Sequence, residues 1–202
     1  MNRATWERIG AAGGILGGLA WAGFPLSWLA VAPGRSGTFL APYEAAGPAL
    51  FAVPLALSLG AVGLRQSRRR AETATGRWGF RLLFVGLLAV SLGTLAEFWV
   101  LALLDTLTPL VDASDRETVR TAVGAGLAAV GLGTVLVGRA VERRPTTAGE
   151  GVALLLSWPL SGVLLAVATL AAVDPWMRLL AVTAPVGLAW ALVGARLWPH
   201  HR

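Results

Sequence analysis

Six apolar stretches, each long enough to cross a bilayer as a helix, occupy most of this chain of 202 residues. A transmembrane helix needs about 20 mainly apolar residues to cross roughly 30 Å of hydrocarbon, and it satisfies its backbone hydrogen bonds internally. The sequence therefore predicts an all-α fold, a polytopic membrane helix bundle of six transmembrane helices. These spans 1 to 6 cover residues 9–31, 44–64, 80–104, 119–138, 151–173 and 175–198.

The segments between the spans are short, and the longest predicted one covers residues 65–79. None is long enough to fold outside the membrane, so residues 1–202 are expected to form a single transmembrane domain with no soluble domain. Only 14% of the residues are charged, whereas a soluble domain carries about 25%. Any binding or chemistry is therefore expected within the bundle or at its rim.

Arginine is concentrated on one side of the predicted membrane. Thirteen arginines lie at the chain ends or in the even-numbered connections, whereas four lie in the odd-numbered connections. Tryptophans fall near both predicted interfaces, as they do in aromatic belts. Because arginine is retained on the cytoplasmic side, the chain is predicted to be a multi-pass protein of the inner or plasma membrane with both termini cytoplasmic (N-in/C-in).

The first span also allows a second interpretation. Arg3 and Arg8 precede an apolar run that contains Ala20-Trp21-Ala22, and secretory signal peptides end at a similar cleavage motif. The apolar run continues well beyond this motif, which favours an uncleaved span. Cleavage would leave five spans in the same orientation.

A basic cluster follows span 2 directly. The chain as a whole has a net charge of +6, which can attract nucleic acid. Here the arginines flank apolar spans, so anionic lipid headgroups on the cytoplasmic side are the expected partner, and nucleic acid is not. Docking of a soluble acidic protein is the alternative. The cluster consists of Arg65, Arg68, Arg69 and Arg70.

Span 1 carries two rows of glycines at four-residue spacing, which together form its glycine face. Small residues four positions apart lie on one side of a helix and let the backbone of another helix approach closely. The pattern predicts either a contact with another span of the same chain or an interface with a second copy or another membrane protein. The glycine face consists of Gly10, Gly14, Gly18, Gly13 and Gly17.

Glu97 is the one acidic residue well inside a span. A charge at that depth is costly, so its side chain is expected to face the bundle interior or water. Helical spacing places Gly86, Val90, Gly93 and Thr94 on the same side of span 3 as Glu97. This small and polar stripe predicts that the carboxylate faces other spans.

Two interpretations of Glu97 remain open. In the structural one, it is protonated or paired and locks span 3 to a neighbour. Arg120, near the start of span 4, is the best candidate partner, and Arg116 and Arg178 are weaker ones. In the functional one, the carboxylate binds a cation, carries a proton or holds a polar substrate. The candidate intramembrane polar site is therefore Glu97 with Thr94 and Arg120.

Three predicted helix starts carry capping signals. The S-x-x-E motif at residues 114–117 predicts a capping box before span 4, and the T-x-x-E motif at residues 147–150 predicts another before span 5. Asp174 followed by Pro175 is typical of an N-cap residue with proline at the first helical position, which would open span 6.

The sequence gives little support to a metal site or to catalysis. Four carboxylates between residues 105 and 117 could bind a divalent cation, but the glycine turn of a calcium loop is missing, and helix capping explains these acids more simply. The histidines are confined to His200 and His201, which excludes a bis-histidine haem within a span. Zinc-protease, P-loop and G-x-S-x-G motifs are also missing. No catalytic residue, metal or cofactor is expected. The four carboxylates are Asp105, Asp112, Asp115 and Glu117.

These features favour a structural, accessory or regulatory membrane component without enzymatic activity. The alternative is a small proton- or cation-linked transporter or channel that uses Glu97 in a cavity between spans. A membrane enzyme with a carboxylate at the outer rim is a third and weaker class.

Overall fold

The computed structural model describes residues 3–27, 41–68, 73–107, 112–142 and 148–198. These residues are helical or lie in short turns, and no strand occurs among them. Six helical stretches are long and apolar enough to cross a membrane, which confirms the six predicted apolar helices. The helices are α1 (Arg3–Gly23), α2 (Ala41–Leu50), α3 (Ala52–Arg68), α4 (Ala74–Leu95), α5 (Leu101–Leu107), α6 (Ala113–Glu142), α7 (Ala148–Leu170) and α8 (Pro175–Leu197).

Two short turns continue this framework. A 3-10 turn, Phe24–Leu26, extends α1, and a π-helical turn, Ala96–Val100, joins α4 to α5 without interrupting the rod. Span 1 is therefore α1 with its 3-10 turn, span 2 is α2 with α3, and span 3 is α4, the π turn and α5. Spans 4, 5 and 6 are α6, α7 and α8.

Several helices extend beyond the apolar stretches that predicted them. Span 3 was expected over 80–104, but its helical stretch covers Ala74–Leu107, and span 4 was expected over 119–138, but α6 covers Ala113–Glu142. Apolar periodicity marks the hydrocarbon part of a helix, whereas polar residues continue the same helix into the interface. The true start of α4 is fixed by Thr73, whose Oγ1 accepts a hydrogen bond from the backbone N–H of Gly76 at 3.1 Å.

The capping box predicted at residues 114–117 is wrong, because the cap lies two residues earlier. Asp112 precedes α6, and its Oδ1 accepts hydrogen bonds from the backbone N–H groups of Ser114 at 2.8 Å and Asp115 at 3.2 Å. In return, Asp115 Oδ2 accepts from the backbone N–H of Asp112 at 3.2 Å. Aspartate thus plays both roles that the motif assigned to serine and glutamate.

The starts of the last two helices follow the sequence more closely. α7 begins at Ala148, and residues 143–147 lie outside the described residues, so the proposed cap at residue 147 does too. Asp174 is the N-cap of α8 with proline at the first position, but its side chain makes no capping hydrogen bond. The connection was predicted to be residue 174 alone, whereas α7 ends at Leu170 and residues 171–174 form the turn, in which Ala172 has a positive φ of 51°.

The helices form a closed ring, in which α1 packs on α3, α3 on α4, α4 on α6, α6 on α7, α7 on α8, and α8 back on α1. Neighbouring helices are antiparallel, since residues early in one helix lie beside residues late in the next. Gly10 of α1 lies against Gly63 of α3, and Gly79 of α4 lies against Val137 of α6. Antiparallel neighbours follow from the short connections of the chain.

One half of this helix ring is packed solid. This closed half contains the beginning of α1 and the end of α8, and its interior is filled by apolar side chains. At the level of the other helix ends the interior is hollow, and this cavity half contains Glu97. The fully buried residues of the closed half include Leu64, Leu83, Val137, Leu154 and Val193.

Span 2 is broken at Phe51, between α2 and α3. Pro54 has no N–H for the carbonyl four residues earlier, and its ring crowds that carbonyl, so the helix is interrupted there. Span 3 donates hydrogen bonds to two backbone carbonyls, one at the break and one before it. The hydroxyl of Ser91 donates to the carbonyl of Phe51 at 2.7 Å, and the indole N–H of Trp99 donates to the carbonyl of Pro48 at 3.0 Å.

Candidate functional site

Glu97 lies in the π-helical turn of span 3. The backbone N–H of Leu101 donates to the carbonyl of Ala96, five residues earlier, which inserts one extra residue into the helix. Single π turns within α-helices are frequent at functional sites. The predicted stripe corresponds to a regular α-helix, and no residue type in this segment indicates the extra residue, so the π turn could not be predicted from the sequence.

Arg120 of α6 forms an ion pair with Glu97. Arg120 Nε donates to Glu97 Oε1 at 2.5 Å, and the two side chains are 38% and 2% exposed. The other two candidate arginines are engaged elsewhere. Arg116 donates to the carboxylate of Asp105 at 3.1 Å, and Arg178 Nε donates to the carbonyl of Val173 at 2.9 Å. Of the three candidates, the structure therefore brings Arg120 to Glu97.

Thr94 lies just before Glu97 on the buried side of α4. Its hydroxyl donates to the carbonyls of Val90 at 2.8 Å and Ser91 at 3.0 Å, so its proton is used within its own helix. The rest of the small and polar stripe packs on α6. A Cβ added to Gly86 would lie 2.6 Å from the carbonyl oxygen of Gly126, which shows that the two backbones are in close contact.

A cavity of about 520 Å³ occupies the cavity half of the helix ring, beside the ion pair. All six spans line it, and most of its wall is hydrocarbon. Among the described residues on this wall, Arg120 carries the one formal charge, and Thr94 and Thr183 carry the hydroxyls. The hydroxyl of Thr183 donates to the carbonyl of Leu179 at 3.1 Å. The wall includes one residue from each span: Trp21, Pro54, Val90, Leu127, Trp158 and Val182.

Trp158, a residue of this wall, contains a buried hydrogen-bond donor. Its indole Nε1 is buried and has no hydrogen-bond partner among the described residues. Its ring lies against Gly131, where an added Cβ would be 2.9 Å from ring carbons. Buried donors without partners are uncommon in folded proteins. Trp158 was not among the predicted site residues, since a tryptophan within an apolar span resembles any core residue.

The glycine face of α1 is filled by the chain's own helices. Gly10 meets Gly63 of α3, and a Cβ added to Gly14 would lie 2.9 Å from the Cα of Gly194 in α8. A Cβ added to Gly17 would lie 2.7 Å from the backbone nitrogen of Leu57. The structure thus shows the first of the two predicted uses, contact within the chain. An interface with a second copy through these glycines would require α3 or α8 to move away.

The basic cluster at the end of span 2 is only partly described. Arg65 is half-buried near the end of α3, and Arg68 is the last residue of that helix. Arg69 and Arg70 lie outside the described residues.

Three of the four acidic residues of the 105–117 segment have partners near the ends of α5 and α6. Asp105 pairs with Arg116 at 3.1 Å, and Asp112 caps α6. The Ser114 hydroxyl, the Asp115 N–H and the Ser114 N–H, in that order, hold the pKa of Asp112 below its ordinary value. No group of three or more histidines, cysteines or carboxylates that could hold a metal ion occurs among the described residues.

Chemically, this arrangement is a neutralised ion pair at the edge of an apolar cavity. It can hold helices together, and it can surround an apolar molecule while presenting a polar group at one end. Compared with known proteins, the chain matches no family model, no curated protein and no solved structure.

Proposed function

We propose that the chain is a multi-pass integral membrane protein of the inner or plasma membrane with both termini in the cytoplasm. Six apolar helices support the membrane placement. The arginine distribution, thirteen against four, supports the orientation. In this orientation the closed half of the helix ring faces the cytoplasm and the cavity half faces outward.

The chain contains no cysteine, so a single introduced cysteine reports its side of the membrane. Ser67→Cys marks the predicted cytoplasmic end of α3, and Asp174→Cys marks the predicted outer turn. Both changes should be tolerated, since the Ser67 hydroxyl donates to the Leu64 carbonyl of its own helix and the Asp174 side chain makes no capping bond. In intact cells a membrane-impermeant maleimide should label Asp174→Cys alone, and Ser67→Cys should react only after permeabilisation. Labelling in the reverse order would contradict the orientation.

We propose further that the role is structural, accessory or regulatory and not enzymatic, with Glu97 acting as a clasp. The observation that carries this proposal is the pairing of a carboxylate at 2% exposure with Arg120. A buried carboxylate in a membrane span requires a partner, and this partner belongs to the neighbouring helix. The pair thereby fixes the π turn of span 3 to α6. The solid packing of the closed half also favours a static bundle.

A second candidate, a small proton- or cation-linked transporter that uses Glu97, is favoured by one observation, the cavity beside the ion pair. Transport needs a path to both sides of the membrane. The cavity wall is mostly hydrocarbon, and the closed half is filled by apolar side chains. Both features disfavour a hydrated path for ions.

Flux measurements separate the two candidates. The wild-type chain, Glu97→Gln and the control Glu142→Gln are reconstituted into vesicles with an imposed proton or sodium gradient. Glu142 is a suitable control because it pairs with Arg139 at the end of α6, at 3.1 Å. The clasp proposal predicts decay at the rate of protein-free vesicles in all three samples. Fast decay that persists in Glu142→Gln but is lost in Glu97→Gln would establish the transporter instead.

We propose that the basic cluster of Arg65, Arg68, Arg69 and Arg70 contacts anionic headgroups of the cytoplasmic leaflet, as juxtamembrane arginines do. Replacing Arg68, Arg69 and Arg70 together by glutamine should reduce the phosphatidylglycerol that remains bound to the purified protein. Equal retention by the variant and the wild type would refute this contact.

A further inference from the structure

The helices α6 and α7 are in contact only along part of their length. In the closed half they pack closely, with Gly138 beside Leu155, and Gly131 lies beside Trp158 where the cavity begins. In the cavity half they separate. A Cβ added to Gly124 of α6 or to Gly162 of α7 would meet no atom within 4 Å. A gap therefore opens between these two helices on the outer side of Trp158.

This gap leads into the cavity. Gly124 and Ala128 line the cavity, and both are also exposed on the surface of the bundle. Gly124 lies five residues after residue 119, where the apolar part of α6 begins, about 7.5 Å along the helix. At this depth the surface of the bundle contacts hydrocarbon and not water, so the cavity communicates sideways with the interior of the bilayer.

The polar group of the cavity lies on its outer side. Arg120 precedes Gly124 by four residues, which places it about 6 Å nearer the outer end of α6. An amphiphile lying with its headgroup outward and its chain inward, as lipids do in the outer leaflet, would place its polar end near Arg120. Its apolar part would contact Leu127, Trp158 and Val182.

The charges at the cavity favour an uncharged occupant. The charge of Arg120 is balanced by Glu97, so neither an anion nor a cation would gain a net attraction, and either would lose its hydration. The guanidinium of Arg120, at the polar end of the cavity, carries N–H donors and therefore favours a headgroup with an oxygen acceptor. The volume of about 520 Å³ falls within the range of about 300–1,000 Å³ found for pockets that hold small molecules.

We propose that this cavity binds one uncharged, single-chain amphiphile with a hydroxyl or carbonyl headgroup, and that the molecule passes between α6 and α7 directly from the bilayer. The proposal rests on the membrane placement proposed above. In this proposal, the accessory role is the binding of a neutral, lipid-like molecule.

Photolabelling in nanodiscs tests the proposal. The probes are a long-chain alcohol with a diazirine in its chain, the matching carboxylic acid and the matching alkylammonium. Labelled peptides are identified by mass spectrometry. The test variant, Gly124→Trp, fills the gap at a position where the backbone has room for a side chain. Its control is Ala125→Trp, on the same helix, exposed and away from the cavity.

The alcohol should label wall residues such as Leu127 and Leu179, and an excess of unlabelled alcohol should compete. This labelling should fall by about tenfold or more in Gly124→Trp and remain unchanged in Ala125→Trp. Labelling confined to lipid-facing residues such as Leu88 and Leu164, or equal labelling of the wall in both variants, would overturn the proposal. Stronger labelling of the wall by the acid or the ammonium would overturn the uncharged class.

Flotation with vesicles distinguishes a failure of the membrane placement from a failure of the amphiphile proposal. A wild-type chain that does not float with vesicles contradicts the membrane placement itself. A chain that floats, but whose cavity wall takes up no alcohol probe, contradicts only the bound amphiphile. Both tryptophan variants are first checked for flotation and for wild-type thermal stability, so that loss of labelling cannot arise from misfolding.

Discussion

Gly14 is a position in the bundle where an added side chain should be poorly tolerated. It lies between two helices at once, since α3 approaches it through Gly60 and α8 through Gly194. A Cβ at Gly14 would lie 2.9 Å from the Cα of Gly194, and a Cβ at Gly60 would lie 2.8 Å from the Cα of Gly14. Both neighbours are backbone, which cannot rotate away.

The cost of Gly14→Leu follows from these distances. Carbon atoms pack at about 3.5–4.0 Å, so one Cβ alone requires α8 to retreat by roughly 0.6 Å, and leucine adds three further carbons. Overpacking of a well-packed core costs about 1–3 kcal/mol, sometimes more. Because α3 also lies against Gly14, α1 cannot move away from α8 to make room. We therefore expect Gly14→Leu to lower the free energy of unfolding by about 3 kcal/mol or more and Gly14→Ala by about 1–2 kcal/mol.

The assay is reversible unfolding in mixed micelles with increasing denaturing detergent, followed by helical circular dichroism. The matched control is Gly23→Leu near the end of the same helix, where an added Cβ would meet no atom within 4 Å. That variant should unfold at nearly the wild-type midpoint. If Gly14→Leu is as stable as Gly23→Leu, the packing of α1 between α3 and α8 is refuted.

Two further predictions concern hydrogen bonds. Ser91→Ala leaves the Phe51 carbonyl without its donor, and should cost about 1 kcal/mol of unfolding free energy. Ser58→Ala removes a bond within one helix turn and should cost less. Equal losses of unfolding free energy in the two variants would contradict the idea that Ser91 stabilises the break in span 2. The depressed pKa of Asp112 stabilises the fold above the unfolded pKa of about 3.9, and this stabilisation is lost as the pH falls through the lower folded pKa. Asp112→Asn should therefore flatten the pH dependence of the unfolding midpoint between about pH 2 and 5, and an unchanged profile would show that this cap does not act through its charge.

The number of helices and the partner of Glu97 could be read from the sequence for simple physical reasons. Apolar length is dictated by bilayer thickness, and a buried carboxylate requires a compensating group. Few arginines lie near the outer ends of the spans, so Arg120 was one of only a few candidate partners for Glu97. The glycine spacing likewise indicated close helix contact, although spacing alone could not say which helices would make it.

Other parts of the site could not be predicted, since they arise from three-dimensional packing. The π turn around Glu97 depends on how span 3 fits its neighbours, and no residue in Ala96–Val100 requires it. The cavity is the space left where α6 and α7 separate, which no local pattern encodes. The capping residue of α6 was misassigned because Asp112 and Ser114 are both favourable N-caps, and the sequence does not decide between them.

The proposed role of Glu97 as a clasp to α6 is tested most directly by a double-mutant cycle. The wild type, Glu97→Gln, Arg120→Met and the double variant are compared by reversible unfolding. Arg120→Met leaves a carboxylate at 2% exposure without its charge partner, so it should cost about 3 kcal/mol, near the low end for broken buried pairs. Glu97→Gln leaves an arginine that can extend towards water, and should cost about 1–2 kcal/mol.

The double variant removes both charges, and should therefore be less destabilised than the sum of the two single variants. The clasp predicts a coupling energy of about 2 kcal/mol between Glu97 and Arg120. Additivity of the two single variants within about 0.5 kcal/mol would contradict the clasp, because it would show that the ion pair does not hold span 3 to α6.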